Sequence, residues 1–353
     1  MSGVSLGNLR VSVKTIVMAP TIGLLLISFG CAPKQDAPAF DTGGRTFSAE
    51  LPLEVWVCHE SDEDHERIGA TPSDGLLDIP RCTFWWVHPD GQIDTKDLAR
   101  EIAAKRIPML SLVGEKGIDD ALAHLAGLTE LQGLMLRRTD LTDAGLTSIK
   151  SLTGLRLLVL MRTNITDKGL AHVVKDLRNL RWLILKRSEK ITDAGLAHLE
   201  GLTRLQRLDL KGTPITDAGL AHLKGLTTLR TLDLSETQIT NAGLAHLKGL
   251  RKLRLSDTEV TDAGLVHLKG LTELRELDLS YMEIGDAGMA HLKGLTKLQK
   301  LGLVRTNITD AGLLHLKSLT GLRELDLSHT ETTAAGRADL IRALPMTKVK
   351  VEE

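Results

Sequence analysis

Aromatic side chains are scarce: 4 Trp, 4 Phe and 1 Tyr make up 3% of 353 residues. Such scarcity disfavours aromatic-lined ligand pockets and stacking platforms for bases. An excess of either charge is also missing. The 44 basic and 45 acidic residues leave a net charge of -1, so no global basic field recruits nucleic acid or anionic lipid. No Walker A sequence, GxGxxG loop, HExxH helix or GxSxG elbow occurs, and no catalytic residue, cofactor or metal is assigned. The 3 cysteines form no CxxC pair, so they do not read as a zinc site. What is abundant is aliphatic: hydrophobic residues reach 42%, ample for a core and too many for general disorder.

The N-terminus reads as a targeting segment. Arg10 and Lys14 precede an apolar run over residues 16–29, and Gly30 and Cys31 follow it. The run is short and broken by Pro20, which makes a poor transmembrane helix. Gly30 before Cys31 resembles a bacterial lipoprotein signal. That resemblance implies that residues 1–31 are a signal, that Cys31 is the lipidated N-terminus, and that the mature chain is exported and membrane-anchored, in the periplasm or at the cell surface. Ser28 and Phe29 depart from the usual signal. An ordinary cleavage site at Ala37, Pro38 and Ala39 is the alternative, and implies a secreted chain. Residues 32–48, rich in Ala, Pro and Gly without periodicity, read as a flexible tether. Cys58 and Cys82 remain as a pair, either disulfide-bonded in an oxidising compartment or two buried thiols.

Beyond residue 94 the chain is repetitive. ITDAGLAH starts at Ile191 and Ile215, ITNAGLAH at Ile239, VTDAGLVH at Val260, IGDAGMAH at Ile284 and ITDAGLLH at Ile308. Related phrases start at Ile118, Leu141, Ile165 and Thr332, giving offsets of 23, 24, 26, 24, 24, 21, 24, 24 and 24 residues. So strict a period means a solenoid. In each unit LxxLxLxxT suits a short strand with one buried face. TDAGLAHLKGL suits a short helix, with Thr216 or Asp217 capping its start and Gly219 allowing neighbouring segments to approach. Neither element buries its apolar face alone, so units must stack. Strands repeat at about 4.8 Å and packed helices at about 8–10 Å, so the stack curves with the sheet inside.

LxxLxLxxT followed by ITDAGLxxL resembles the leucine-rich repeat, of the ribonuclease-inhibitor-like and cysteine-containing subtypes. The resemblance covers residues 118–332 with nine strand motifs. It implies an α/β solenoid, a horseshoe with a concave parallel β-sheet and convex helices. The Asn or Cys usual at the ninth position is Thr here, except at Ser188 and Met282. A Thr hydroxyl can serve a turn backbone group whereas Met cannot, so the buried polar ladder should break at Met282. No F-box-like segment accompanies the repeats, so the ubiquitin-ligase role of some relatives is not carried over. A helix over residues 94–106 and a strand over 107–113 begin the array; a helix over 334–344 and a strand over 347–351 close it. The solenoid with its caps thus spans residues 94–353. Residues 49–93 form a small β-rich segment with strands over 53–58 and 82–87.

Eight of 12 His residues share one repeat position, from His124 and His172 to His291 and His315. Convex segments about 8–10 Å apart cannot bring imidazoles to the ~2.1 Å that one ion needs, so the ladder reads as an exterior residue inherited by duplication. The acidic run His59, Glu60, Asp62, Glu63, Asp64 and His65 lacks calcium-loop spacing and reads as a solvated loop. Variation that bears on function lies on the concave face. There the first three matching units carry Gly133, Met135, Arg137 and Arg138; Leu157, Val159, Met161 and Arg162; and Trp182, Ile184, Lys186 and Arg187. Later units carry Asp233, Glu276, Asp278, Glu324 and Asp326. One end is therefore expected to be apolar with a basic border, the other acidic. Exposed Trp, Met, Leu and Ile beside Arg is the composition of a protein-binding hot spot. The competing reading is that residues 49–93, with Trp56, Phe84, Trp85 and Trp86, fold over the patch. The expected function is non-enzymatic: a monomeric scaffold for an unidentified protein partner, with no nucleic acid. A carbohydrate or cell-wall binder is one alternative, disfavoured because only Trp182 and Tyr281 are concave aromatics. An enzyme with its site in residues 49–93 is the other.

Overall fold

A computed structural model describes residues 45–58, 65–71, 77–79, 84–91 and 93–352. The targeting segment with Cys31, Cys82, the side chain of Cys58 and His59 through Asp64 lie outside the described residues. The array starts with a helix over Thr95–Lys105, whose first amides at Lys96 and Asp97 donate to the Asp94 carboxylate. Then comes β6 (Met109–Ser111), followed by the nine repeat strands: β7 (Gly133–Met135), β8 (Leu157–Val159), β9 (Trp182–Ile184), β10 (Arg207–Asp209), β11 (Thr231–Asp233), β12 (Lys252–Arg254), β13 (Glu276–Asp278), β14 (Lys300–Gly302) and β15 (Glu324–Asp326). A helix over Ala334–Ala343 and β16 (Lys348–Lys350) close the array. From β6 to β16 every strand pairs in parallel with the next. The central residue of each repeat strand, from Leu134 to Leu325, points into the main core and is at most 2% exposed. The sequence and this sheet define an α/β leucine-rich-repeat solenoid.

The described residues of 45–91 supply five strands. These are β1 (Arg45–Phe47), β2 (Leu53–Cys58), β3 (His65–Ala70), β4 (Leu77–Ile79) and β5 (Phe84–Pro89). The sheet runs on past β6 in the order β6-β5-β2-β3, with β5 parallel to β6, then β2 and β3 antiparallel. Three of these five were not expected. β1, paired with β4, lies within the stretch read as tether, and β3 begins in what was read as the acidic loop. Alternation explains β2 and β5: Leu53, Val55, Val57, Trp85 and Val87 face the main core, at 0% exposure. Phe47 meets the Trp85 ring edge-on at 5.4 Å.

Threonine does two jobs in the repeat. At the ninth position Thr139, Thr163, Thr258, Thr306 and Thr330 donate their hydroxyls to the carbonyl three residues back, at 2.7–3.0 Å. Ser188 donates instead to the Leu160 carbonyl of the preceding unit, at 3.0 Å, and Met282, having no donor, breaks the ladder as expected. At the helix start Thr216 accepts from Ala218 N at 3.3 Å. Asp217, the other candidate cap, reaches forward instead and accepts from Thr240 N and Oγ1 of the next unit, at 2.9 and 2.6 Å.

Candidate functional site

Outer strand positions alternate with the core leucines, so two columns of side chains cross the concave face. Strand register places Leu157, Trp182 and Arg207 in one column and Val159, Ile184 and Asp209 in the other. Both columns change from apolar to charged between β9 and β10. Arg207 marks the border, its guanidinium 5.8 Å from the centre of the Trp182 ring.

On the apolar side of the border, Met135, Leu157, Val159, Met161, Trp182 and Ile184 join Trp86 and Met109 in a hydrophobic cluster separate from the main core, with Trp56 packed against it. These six residues come from the expected contact set. Met109 was missed, and Trp56 and Trp86 were read only as part of a segment covering the patch, although the alternation that sends Trp85 inward sends Trp86 to the concave side. Trp56 and Trp86 pair across β2 and β5, their rings stacked at 6.3 Å and 8°. The described residues of 49–93 place two of that segment's aromatics, Trp56 and Trp86, within the sheet itself. Their strands β2 and β5 extend the sheet beside the cluster and enlarge it. The cluster is buried where an exposed patch was expected: Val159, Trp182 and Ile184 are each 0% exposed.

The basic residues of the expected set divide by burial. Arg137 is buried; burial, then the nearby charges of Arg138 and Arg162, pull its pKa down to about 10. Lys186 is half-buried, and burial lowers its pKa. Arg187 pairs with Glu236 at 3.0 Å, and Lys211 meets the same carboxylate at 2.9 Å. Arg138 and Arg162 are exposed.

Beyond the border the face is mixed, which corrects the expectation of an acidic end. Lysines and arginines interleave with the carboxylates on successive strands. Lys252 binds Glu276 at 2.6 Å, Lys300 binds Glu324 at 3.0 Å, and Arg254 lies 3.5 Å from Asp233. Burial works against the Arg254 charge, but Asp233, Glu276, Asp278 and Asp209 outweigh it and raise its pKa. Asp209 has no such surplus of cations. Burial, and then Asp233 beside it, push its pKa up to about 6.

The His ladder lies on the convex side in the helical segments. There His222 binds Glu200 at 2.9 Å and His124 meets the Thr95 hydroxyl at 2.6 Å. Among the described residues no three His, Cys, Asp or Glu side chains gather to hold a metal ion. No helix among them is long and apolar enough to cross a membrane.

Two family descriptions match the repeats: "Leucine rich repeat" over residues 203–260 and "Leucine Rich repeat" over residues 271–292. Both fall inside the solenoid, over β10 to β13. No curated protein matches the chain. Among solved structures it is similar to an internalin (inlF) of Listeria monocytogenes, at 22% identity and a TM-score of 0.49, covering 74% of this chain and 85% of that one. It is also similar to an internalin C2 (inlC2) of the same organism, at 29% identity and a TM-score of 0.47, covering 65% of this chain and 92% of that one.

Proposed function

We propose that this protein is a non-enzymatic scaffold that binds a protein partner on the concave face of β5 to β9. It acts as a monomer, exported and held at a membrane by lipid on Cys31. The repeats follow the ribonuclease-inhibitor-like pattern with a 24-residue unit. The observation that carries the reading is the second apolar cluster. Its residues occupy positions that the units of β10 to β15 fill with charged or polar side chains, Gly302 and Val304 excepted, so stacking the repeats does not require them to be apolar. Apolar side chains that the repeat does not need, bordered by Arg138 and Arg162, have the composition of an interface core. Binding here is shape and side-chain chemistry on a rigid frame, with no bond made or broken. A glycan reading gains Trp56 and Trp86 as concave aromatics, but their rings stack on each other and not on an open platform.

The double variant Trp182→Ser, Ile184→Asp tests the reading through two measurements. Cross-linking in the native cells should lose the captured partner. Because both side chains are 0% exposed, the stability of the repeat array should fall by up to roughly 3–5 kcal/mol while its helical signal is kept. A full core-sized loss with the partner still captured would make the cluster a second structural core.

A further inference from the structure

The near-zero net charge of the chain is the sum of two opposed edges. Parallel pairing of the repeat strands sends every helical segment back across the array, so each helix ends on the edge where the next strand begins. The eight segments that lead from helix to strand are 147–156, 172–181, 197–206, 221–230, 245–251, 266–275, 290–299 and 314–323. They hold 16 Lys and Arg against 3 Asp and Glu. The eight turns that lead from strand to helix are 138–143, 162–167, 187–193, 212–217, 236–241, 257–262, 281–286 and 305–310. They hold 5 against 13. Stacking adds the units in phase, which makes one edge basic and the other acidic. The acidic edge is put to use within the chain, because TDAG aspartates such as Asp193 and Asp217 accept from the threonine of the next unit. On the basic edge Lys224 and Lys269 complement the ends of their helical segments, as cations at a helix C-terminus do. That role does not extend to the arginines that stand ahead of the strands.

Two rows make up the basic edge. The inner row runs from Arg156 through Arg181, Arg230 and Arg275 to Arg323, with Gln206 and Gln299 interposed. Each member donates its backbone N–H to the carbonyl of the member before it, at 2.7–2.8 Å. Rungs about 4.8 Å apart spread these side chains along about 34 Å. Carbonyls hold them without neutralising them: Arg230 Nη1 donates to the Thr227 and Leu229 carbonyls, both at 2.9 Å. No carboxylate among the described residues pairs with the five arginines just named. Burial, and then the nearby charges of Arg156 and Arg204, lower the pKa of Arg181, so like charges face one another here. The outer row lies on the convex side, where Lys224, Lys248, Lys269 and Lys293 are exposed and have no ion-pair partner among the described residues. Of the three carboxylates, Glu200 binds His222 and Glu273 binds Lys297. Two rows at different radii spread the charge over a face and not along a single track. The eight segments contain no Phe, Trp or Tyr, so a nucleic-acid base finds nothing to stack on.

We infer that this edge lies against anionic phospholipid headgroups, with the helix C-termini and strand starts toward the membrane and the acidic edge away from it. Anionic headgroups attract clustered Lys and Arg over about a Debye length, and a lipid chain joined to such a cluster holds a protein more firmly than either alone. The concave face of β5 to β9 then opens along the membrane. The inference rests on the proposed function in one respect, that the chain sits at a membrane; the charge of the edge is independent of lipid on Cys31. Vesicle flotation of the full chain, on phosphatidylcholine with and without phosphatidylglycerol, is the test. Phosphatidylglycerol should raise binding, and salt should remove the increment. The triple variant Lys224→Glu, Lys248→Glu, Lys269→Glu should cut the increment about tenfold or more. Glu200 occupies the same repeat position, so the reversal is compatible with the fold, and arginine at the three sites should keep the binding. Arg138→Glu, Arg162→Glu, Arg305→Glu changes the net charge equally on the opposite edge, where Glu236 shares the backbone conformation, and should leave the increment within about twofold. Cys31→Ser should lower binding to both kinds of vesicle alike and leave the increment intact. Equal losses from the two charge reversals would reduce the effect to net charge and overturn the inference, as would the lack of any increment; both results leave lipid on Cys31 standing. Duplex DNA that displaces the protein from the vesicles at equal phosphate concentration would make the edge a nucleic-acid surface instead.

Discussion

Asp193 lies against Gly219 of the next unit so closely that a β-carbon on the glycine would sit 2.4 Å from Asp193 Oδ1. The same carboxylate is fixed in place: Thr216 donates to it from N at 2.8 Å and from Oγ1 at 2.6 Å. The glycine of TDAG is thus set by the aspartate of the preceding TDAG, and the two recur together because each needs the other's shape. Asp143 with Gly169, Asp217 with Gly243 and Asp286 with Gly312 repeat the arrangement at 2.1, 2.3 and 2.3 Å.

Gly219→Ala should therefore destabilise by about 1–3 kcal/mol, since neither the pinned carboxylate nor Leu196, 3.0 Å away on the other side, can yield without losing contacts. Gly225→Ala, where a β-carbon meets nothing within 4 Å, should change stability by no more than about 0.5 kcal/mol. Denaturant unfolding of the pair is the check. Equal effects would mean that the carboxylate swings aside.

The unit from Ile239 to Thr258 should be the array's weakest point on the convex side. Its helical segment shrinks to Gly243–His246, and a notch of about 140 Å³ opens between Leu223, Leu226, Leu229, Leu247 and Leu250. Leu226 N donates to the Leu223 carbonyl at 3.0 Å, and Leu250 N makes no such bond among the described residues. Amide exchange should accordingly be faster around Leu250 than around Leu226, by the difference in local opening. Equal protection would show that the shortened turn is as tightly held as its neighbours.

Asp209 makes the stability of the folded chain fall with rising pH. Its pKa rises from 3.8 to about 6 on folding, so between those values the native state binds more protons than the unfolded one, and stability is lost across about pH 4 to 6. Above that window the full cost remains. Asp209→Asn, which keeps an acceptor for the Lys211 amide at 3.1 Å, should stabilise by on the order of 2 kcal/mol at pH 7 and by nearly nothing at pH 4. Urea midpoints of both proteins across that range give the comparison. A constant difference would assign the effect to something other than this proton.

Cys31→Ser should move the protein from the membrane to the soluble fraction, or leave it with its leader uncleaved. Detergent phase partitioning with mass measurement of the N-terminus separates these outcomes. A Cys31→Ser protein processed and partitioned like the parent would exclude lipid on this residue.

The period and the alternation of Leu134, Leu136 and their equivalents made the solenoid legible, because stacking imposes the same demand on every unit. The first strands were harder to read. β1, β3 and β4 are short and pair by register, and nothing in Arg45, Thr46 and Phe47 announces a partner as distant as Leu77 to Ile79. The composition of the concave cluster was readable from positions such as Val159 and Ile184, but its extension to Trp86 and Trp56 depended on how residues 49–93 dock. The charged end was misread because acidic residues were counted along the chain, while Lys252, Arg254 and Lys300 stand between them across the sheet.

The carboxylate staple also carries a direction. Each aspartate reaches only toward the next unit, and each threonine answers only the unit before; at the short repeat Asn241 does the same, accepting from Thr261 N at 2.9 Å and donating to its hydroxyl at 3.0 Å. A segment copied or deleted in whole multiples of the period therefore restores a correct junction at both seams. Gene duplication can lengthen or shorten this protein without redesigning the junction between units, and the breadth of the surface it offers is free to change by one rung at a time.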